Sequence, residues 1–349
     1  MQESAPADSP GGGSESARAG TEVSVPEAAR TLRSASDVTL FAHVNPDADA
    51  LGSALALGMA LRRRGATVRV SFGSPDEVPR SLRELDLEGC FVAAEDLPDV
   101  PPLVVVADTG SAQRLGKLAA HVERTIADGG EVLVIDHHVA NTRFGTQHLI
   151  DEHAEATVLL VLMVLDELDV PLDSSLADCV YAGLVTDTRS FRSASPTVHR
   201  VAARLLETGV DPDALTRRLM DTHPFAWQRM LAGVLADSCL ESEAAGGCGL
   251  AHATVDLERS AGLGAEELDS VVDIVRTTRE AEVTAVFKEL EPDRWSVSLR
   301  ADSRLDVGWA AAACGGGGHR FASGFTAQGP VEDLLTRLRR ALDDAPLLD

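Results

Sequence analysis

Short apolar runs recur through the first half of the chain, and three of them stop abruptly on side chains able to hold a metal. Residues 38–42 read as a buried strand that runs into His43, Asp47 and Asp49. A long apolar helix is expected next, over 51–62, with Pro46 fixing the turn before it. Asp47 and Asp49 then lie on a chain that is not yet helical, so the two carboxylates need not point the same way. A second strand follows over 67–72, after a stop at Gly65. Residues 103–107 form a third, ending at Asp108, and 132–135 a fourth, ending at Asp136-His137-His138. Parallel strands joined by right-handed crossovers bring such carboxyl ends to one rim, where open α/β sheets bind ligands.

The pattern then turns helical, over 156–168, from a Ser174 cap to Asp187, and over 196–208 with Gly209 as its stop. Val180 and Leu184 bury one face of the middle helix, so Asp187 emerges at its end. Composition shifts at 210–213, and a helical arm is expected over 214–236. Beyond it strands alternate, over 248–255, 282–290 and 295–301, with a helix at 268–277. The chain closes with Cys314-Gly-Gly-Gly-Gly-His319 and a helix over 331–342. The expected organisation is a small, polar, unstructured tail over 1–22, a parallel-sheet α/β domain over 23–209, a helical linker over 210–236 and a smaller mixed-sheet α/β domain over 237–349.

Length and composition narrow the class. At 349 residues with 44% hydrophobic residues the chain can build two cores. It shows no eighteen-residue apolar stretch and no secretory leader, so no membrane partner is expected and a cytoplasmic location is. Five cysteines without a C-x-x-C pair read as free thiols. The net charge of −24, from 31 basic and 55 acidic residues, repels long or duplex nucleic acid, whose affinity rests on neutralising many phosphates. A small phosphorylated ligand held by a few local cations is compatible with it.

Each candidate also has a plainer reading. Asn-Pro-Asp is a good turn and Asp a good helix cap, and a single Asp after a strand is usually one or the other. An Asp at a helix C-terminus is disfavoured by the dipole, which points to a compensating cation near Asp187. The four-glycine run is either a flexible loop or a place where backbone amides close on a phosphate. Taken together, two histidines and four aspartates form an oxygen and nitrogen set suited to manganese or magnesium rather than structural zinc. Six ligands are too many for one ion with an open position, and a two-metal cluster with a bridging carboxylate accounts for them.

His43-x-x-x-Asp47-x-Asp49, Asp108, Asp136-His137-His138 and Asp187 resemble the four motifs of the DHH phosphoesterase superfamily. Gly315-Gly-Gly-Gly-His319 with Ala322-Ser-Gly324 resembles its DHH-associated domain, in the NrnA-type branch of oligoribonucleases that also dephosphorylate 3′-phosphoadenosine 5′-phosphate. The resemblance covers nearly the whole chain after residue 22. It implies two manganese ions, with magnesium or cobalt as substitutes. One would be held by His43, Asp47 and Asp108, the other by Asp49, Asp108, His137 and Asp187. Asp136 would support the site and His138 would face the phosphate or leaving group. In the second domain Arg300, Ser298, His319 and the amides of Gly316, Gly317 and Gly318 would grip the other phosphate or terminal nucleotide. Arg189 departs from the relatives, which usually carry glycine there, and is expected to be solvated. The expected activity is manganese-dependent hydrolysis of short RNA or small nucleotides, including cyclic di-AMP or its linear product, by a chain that can pair as a homodimer. The rivals are a manganese pyrophosphatase, a RecJ-type exonuclease and a non-catalytic nucleotide-binding regulator.

Overall fold

The computed structural model describes residues 20–348, so all but the end of the expected unstructured tail lies outside the described residues. The described chain parts into two compact units between Leu219 and Met220.

The first unit is built on a six-stranded, wholly parallel sheet. It comprises β1 (Thr21–Glu22), β2 (Asp37–Ala42), β3 (Thr67–Phe72), β4 (Leu103–Ala107), β5 (Glu131–Asp136) and β6 (Gln147–Ile150), in the order β1-β6-β5-β4-β2-β3. The strands that run into candidate ligands, β5, β4 and β2, are therefore immediate neighbours. Their apolar runs are buried on both faces, as a parallel sheet sandwiched between helices requires. β1 falls at the end of the expected unstructured tail, where Thr21 and Glu22 pair with Gln147 and His148. β6 carries no strand signal in the sequence because it is four residues long and only its last two, Leu149 and Ile150, are apolar.

The helices are α1 (Val25–Ser34), α2 (Ala48–Arg63), α3 (Ala119–Ala127), α4 (Thr157–Glu167), α5 (Ser174–Asp187), α6 (Pro196–Glu207) and α7 (Pro212–Met220). Two of them correct the sequence reading. α2 begins at Ala48, because Asp47 caps it by accepting from the Ala50 amide at 2.9 Å. Asp49 is thus already helical, in the first turn. α5 is capped by Asp173, which accepts from the Leu176 amide, and not by Ser174. α2 is buried along almost its whole length and packs tightly on α5. A Cβ at Gly52 would stand 2.5 Å from the Cys179 carbonyl oxygen.

The stretch expected as one arm is two helices, α7 and, past residues 221–224, α8 (Phe225–Ala236). Pro224 is the N-cap of α8. Met230 and Val234 of α8 sit in an apolar cluster of the second unit.

That second unit carries a mixed sheet of β7 (Cys239–Glu241), β8 (Leu250–Val255), β9 (Val283–Glu291), β10 (Arg294–Ala301), β11 (Gly317–Gly318) and β12 (Ala322–Gln328), in the order β11-β12-β10-β9-β8-β7. Only β8 and β9 run parallel. Short helices α9 (Ala244–Gly247), α10 (Leu257–Ser260), α11 (Ala265–Asp269) and α12 (Val271–Val275) precede β9, and α13 (Val307–Ala313) and α14 (Val331–Asp343) follow β10. Alternation splits the sheet. Phe287, Trp295, Val297 and Leu299 pack with Leu334 and Leu338 of α14. Val286, Ala251 and Val255 pack on the opposite face with α8 and α12. By the same alternation Lys288, Ser298 and Arg300 lie on that opposite face.

Candidate metal and phosphate sites

Three adjacent strand ends and two helix ends bring the candidate ligands together in the first unit. His43 follows β2, Asp108 follows β4, and His137 and His138 follow β5. Asp49 lies in the first turn of α2 and Asp187 ends α5. Asp108 takes a left-handed backbone, φ 52°, at the end of its strand, a conformation uncommon outside glycine and often found at functional sites.

The two histidines are oriented by their backbone bonds. His43 Nδ1 lies 2.8 Å from the Val44 carbonyl oxygen and His137 Nδ1 3.0 Å from that of Ala154. A carbonyl can only accept, so in the neutral ring each Nδ1 carries the hydrogen and each Nε2 presents a lone pair. His43 Nε2 faces Asp47 Oδ2 at 3.6 Å and Asp108 Oδ2 at 3.7 Å. His137 Nε2 faces Asp108 Oδ1 and Asp187 Oδ2, each at 3.5 Å. A lone pair aimed at carboxylates at these distances is too far for a hydrogen bond and repulsive unless a cation lies between. His43 Nε2 is buried and has no hydrogen-bond partner. Ligand atoms of His43, Asp47 and Asp108, and again of Asp49, Asp108 and His137, lie within 4.8 Å of one another. This donor set fits a pair of hard divalent cations, with the two oxygens of Asp108 facing different histidines.

The carboxylates reinforce the need for positive charge. Burial, then the charges of Asp108 and Asp47, push Asp49 well above the usual carboxylate range, although the Val158 and Thr157 amides oppose this. Asp187 is raised likewise by burial and by Asp49, Asp47 and Asp108. Asp49 is nonetheless fixed: its oxygens accept from the Thr157 amide at 2.6 Å and the Val158 amide at 2.8 Å, at the start of α4. Gly183 makes room for it, since a Cβ there would lie 2.8 Å from Asp49 Oδ1.

Behind the rim sits a second arrangement. His138 Nδ1 is 2.6 Å from Asp136 Oδ1, and Asp136 also accepts from the His137 amide at 2.9 Å and Asn141 Nδ2 at 2.5 Å. Burial opposes charge on both partners. The mutual bond outweighs it, holding Asp136 below its ordinary value and His138 above its own, with Asp108 adding to the latter. With Nδ1 committed to Asp136, proton transfer by His138 runs through its other ring nitrogen, Nε2.

Sequence reasoning missed Thr157, whose hydroxyl donates to Asp108 Oδ1 at 2.8 Å. It missed Asn141, and also Arg114, whose charge reaches both Asp47 and His138. Arg189 is exposed, as expected, but at φ 52° it heads three consecutive left-handed residues, Arg189, Ser190 and Phe191.

In the second unit, Arg300 is largely buried, and burial, opposed by Asp273 and Asp269, draws it below its ordinary value. Ser298 accepts from Lys288 Nζ at 2.9 Å. The glycine run is more committed to the fold than its sequence suggests. A Cβ at Gly316 would meet the Gly324 carbonyl oxygen at 2.1 Å, and one at Gly318 the Ser323 Cα at 2.6 Å, whereas Gly317 has open space. The Gly316 and His319 amides donate to the Ala311 and Ala322 carbonyl oxygens at 2.8 Å. Those two amides hold the loop in place, contrary to the expectation that the Gly316 amide grips phosphate.

No described helix is long and apolar enough to cross a membrane. The profile of the DHH family, N-terminal domain, matches residues 37–184, and that of the DHHA1 domain matches residues 249–345. The chain is 34% identical over 289 residues to the bifunctional oligoribonuclease and PAP phosphatase NrnA of Thermus thermophilus, covering 82% of this chain and 83% of that one. It is 31% identical over 172 residues to a probable manganese-dependent inorganic pyrophosphatase of Streptococcus mutans, covering 47% of this chain and 51% of the other. The fold matches the crystal structure of an exopolyphosphatase-related protein from Bacteroides fragilis, with a TM-score of 0.79 at 21% identity, over 91% of this chain and 95% of that one.

Proposed function

The chain belongs to the DHH family of phosphoesterases, with a DHHA1 domain, and on that premise we propose that it hydrolyses short oligoribonucleotides and small bisphosphorylated nucleotides with two manganese ions. The observation that carries this reading is the pair of lone-pair nitrogens, His43 Nε2 and His137 Nε2, each facing carboxylates across the shared Asp108. His43, Asp47 and Asp108 would hold one ion, and Asp49, Asp108, His137 and Asp187 the other. Two such ions supply Lewis acidity toward a phosphoryl oxygen and a water activated at neutral pH.

The chain's own residues supply the rest. Asp136 holds His138 so that Nε2 delivers a proton to the leaving oxygen. Arg114 stabilises negative charge on the phosphoryl group. Ser298, Arg300, His319 and the open Gly317 take a second phosphate or the terminal nucleotide. The likeness to the Thermus enzyme spans both units, whereas the pyrophosphatase likeness stops at about half of the chain. Nucleotide substrates are therefore favoured over pyrophosphate.

The test is turnover of a panel with manganese present: 5′-phosphorylated diadenylate, RNA trimers, 3′-phosphoadenosine 5′-phosphate, cyclic di-AMP and pyrophosphate. Nucleoside monophosphate from the first three is the expected product. Turnover of pyrophosphate alone would replace this reading with a pyrophosphatase.

A further inference from the structure

The chain contains 29 arginines and only two lysines, Lys117 and Lys288. Lys117 is surface-exposed, whereas Lys288 is buried in the sheet of the second unit with 6% of its side chain accessible. An arginine presents a planar fork, but a lysine presents a compact charge with three donors in a tetrahedral array. A buried lysine in so arginine-rich a chain marks a place where that geometry is needed. Its ammonium has two described partners: the half-exposed carboxylate of Asp269, and Ser298 Oγ at 2.9 Å.

The second bond has a direction. An ammonium can only donate, so Ser298 Oγ is the acceptor and the hydroxyl hydrogen must point elsewhere. Among the described residues no protein acceptor takes that hydrogen. A positive charge on its oxygen also strengthens the hydroxyl as a donor. Arg300 lies two positions along β10, on the same face, about 7 Å from Ser298 by strand geometry. A fixed hydroxyl donor beside a guanidinium, with a lysine behind it, suits the oxygens of a phosphoryl group.

We propose that Lys288 is a positioning residue for substrate binding: it sets Ser298 as a hydrogen-bond donor toward a phosphoryl oxygen of the nucleotide. The inference rests on the reading that Ser298 contacts substrate. If Lys288 served only as an ion-pair partner of Asp269, its loss would lower stability and leave substrate affinity unchanged.

The experiment uses the full chain with Lys288→Met, Ser298→Ala, the double variant and Lys288→Gln. Its readouts are kcat and KM for 5′-phosphorylated diadenylate, calorimetric affinity for AMP with metal chelated, and Tm. Lys288→Met should raise KM about tenfold with kcat within about twofold, and weaken AMP binding by a similar factor, the scale of one charge-assisted hydrogen bond. Ser298→Ala should do the same, and the double variant no more than either, because both remove one interaction. Lys288→Gln, which restores a neutral donor, should fall between and carries the test if the Met variant does not fold. If Ser298→Ala raises KM and Lys288→Met or Lys288→Gln does not, the Lys288 role is overturned and the substrate reading stands. Multiplying effects in the double variant would overturn it equally. If Ser298→Ala leaves KM and AMP affinity unchanged, the substrate reading beneath it falls as well.

Discussion

The hydroxyl of Thr157 donates to Asp108 Oδ1 at 2.8 Å, and this bond fixes how the central carboxylate is turned. With Oδ1 so held, that oxygen faces His137 and Oδ2 faces His43. Asp108→Asn keeps the shape but replaces one oxygen with a donor aimed at a histidine lone pair. We expect it to lower turnover by at least about a thousandfold, the scale for losing a central electrostatic element, and to reduce bound manganese in elemental analysis. Thr157→Val should retain metal and lose about tenfold in kcat. Full metal occupancy with near-normal turnover in Asp108→Asn would refute the shared-ligand arrangement.

His319→Ala addresses the second unit. Its amide is committed to the Ala322 carbonyl, so truncating the imidazole leaves the loop's backbone intact. The expected outcome is unchanged manganese content with a loss of at least about tenfold in kcat/KM on dinucleotides, the order of one removed hydrogen bond to phosphate. Loss of metal in this variant would mean that His319 is a ligand and not a substrate contact.

Arg189 carries a prediction about stability. The chain leaves α5 through a pair of bonds, Ser190 N–H to the Val185 carbonyl at 2.7 Å and Arg189 N–H to that of Thr186 at 3.0 Å. That pattern calls for glycine at the left-handed position, which Arg189 occupies at φ 52°. Arg189→Gly should stabilise the fold by somewhat under about 1 kcal/mol, because glycine's greater freedom when unfolded offsets part of the relief. A rise in Tm of about 1–2 °C is expected by calorimetry. A fall in Tm would show that the arginine side chain makes a stabilising contact.

A further prediction concerns acid sensitivity in the second unit. Glu241 on β7 accepts two bonds from Arg339 on α14, at 2.8 and 2.5 Å, and one from His252 on β8 at 2.9 Å. The Arg339 bond is the main cause holding Glu241 below its ordinary value, against a burial effect that opposes it. A depressed carboxylate contributes stability above its unfolded-state value, near 4.3, and that stability is lost as pH falls through the lower folded value. Glu241→Gln should therefore reduce Tm by a few degrees at pH 7, and the difference from the parent should shrink below about pH 4. An unchanged difference across that range would exclude ionisation of Glu241 as the source.

What the sequence reveals about this site follows from how each residue is placed. His43, Asp108 and Asp136-His137-His138 are legible because each ends an apolar strand, where burial forces the polarity change to be abrupt. Asp187 is legible because a carboxylate at a helix C-terminus is electrostatically out of place. Thr157 and Asn141 act through single hydrogen bonds from a helix start and a loop, positions with no periodic signal. Arg114 lies in a 3₁₀ turn over Ala112–Leu118 whose direction depends on tertiary packing. α2 starts earlier than its sequence suggests because Asp47 serves both as a candidate ligand and as the cap, and only the Ala50 bond shows the second role. The glycine loop misled in the opposite sense, since Gly316 and Gly318 are required by the close approach of β12.

Substrate length offers the last test. Long strands are held by a basic track, because each neutralised phosphate releases counterions and adds affinity. The net charge of this chain is −24, and aromatic residues make up only 4%, leaving few platforms on which successive bases could stack. Much of the arginine is also already engaged: Arg63, Arg69, Arg83, Arg143, Arg204 and Arg339 are all ion-paired to carboxylates. The grips proposed for substrate are the metal rim with Arg114 and the group formed by Ser298, Arg300, Gly317 and His319, enough for about two phosphates. Efficiency should therefore be greatest for RNA of two to about four nucleotides and fall steeply beyond, since added phosphates meet an acidic surface and gain no contact. The measurement is kcat/KM for 5′-labelled oligomers of two to twenty-four nucleotides at fixed salt, repeated at a second salt concentration. A shallow salt dependence is expected for the dimer, set by few phosphate contacts. Efficiency that holds or rises with length, together with a steep salt dependence, would reveal a continuous nucleic-acid track and make a processive exonuclease the better description.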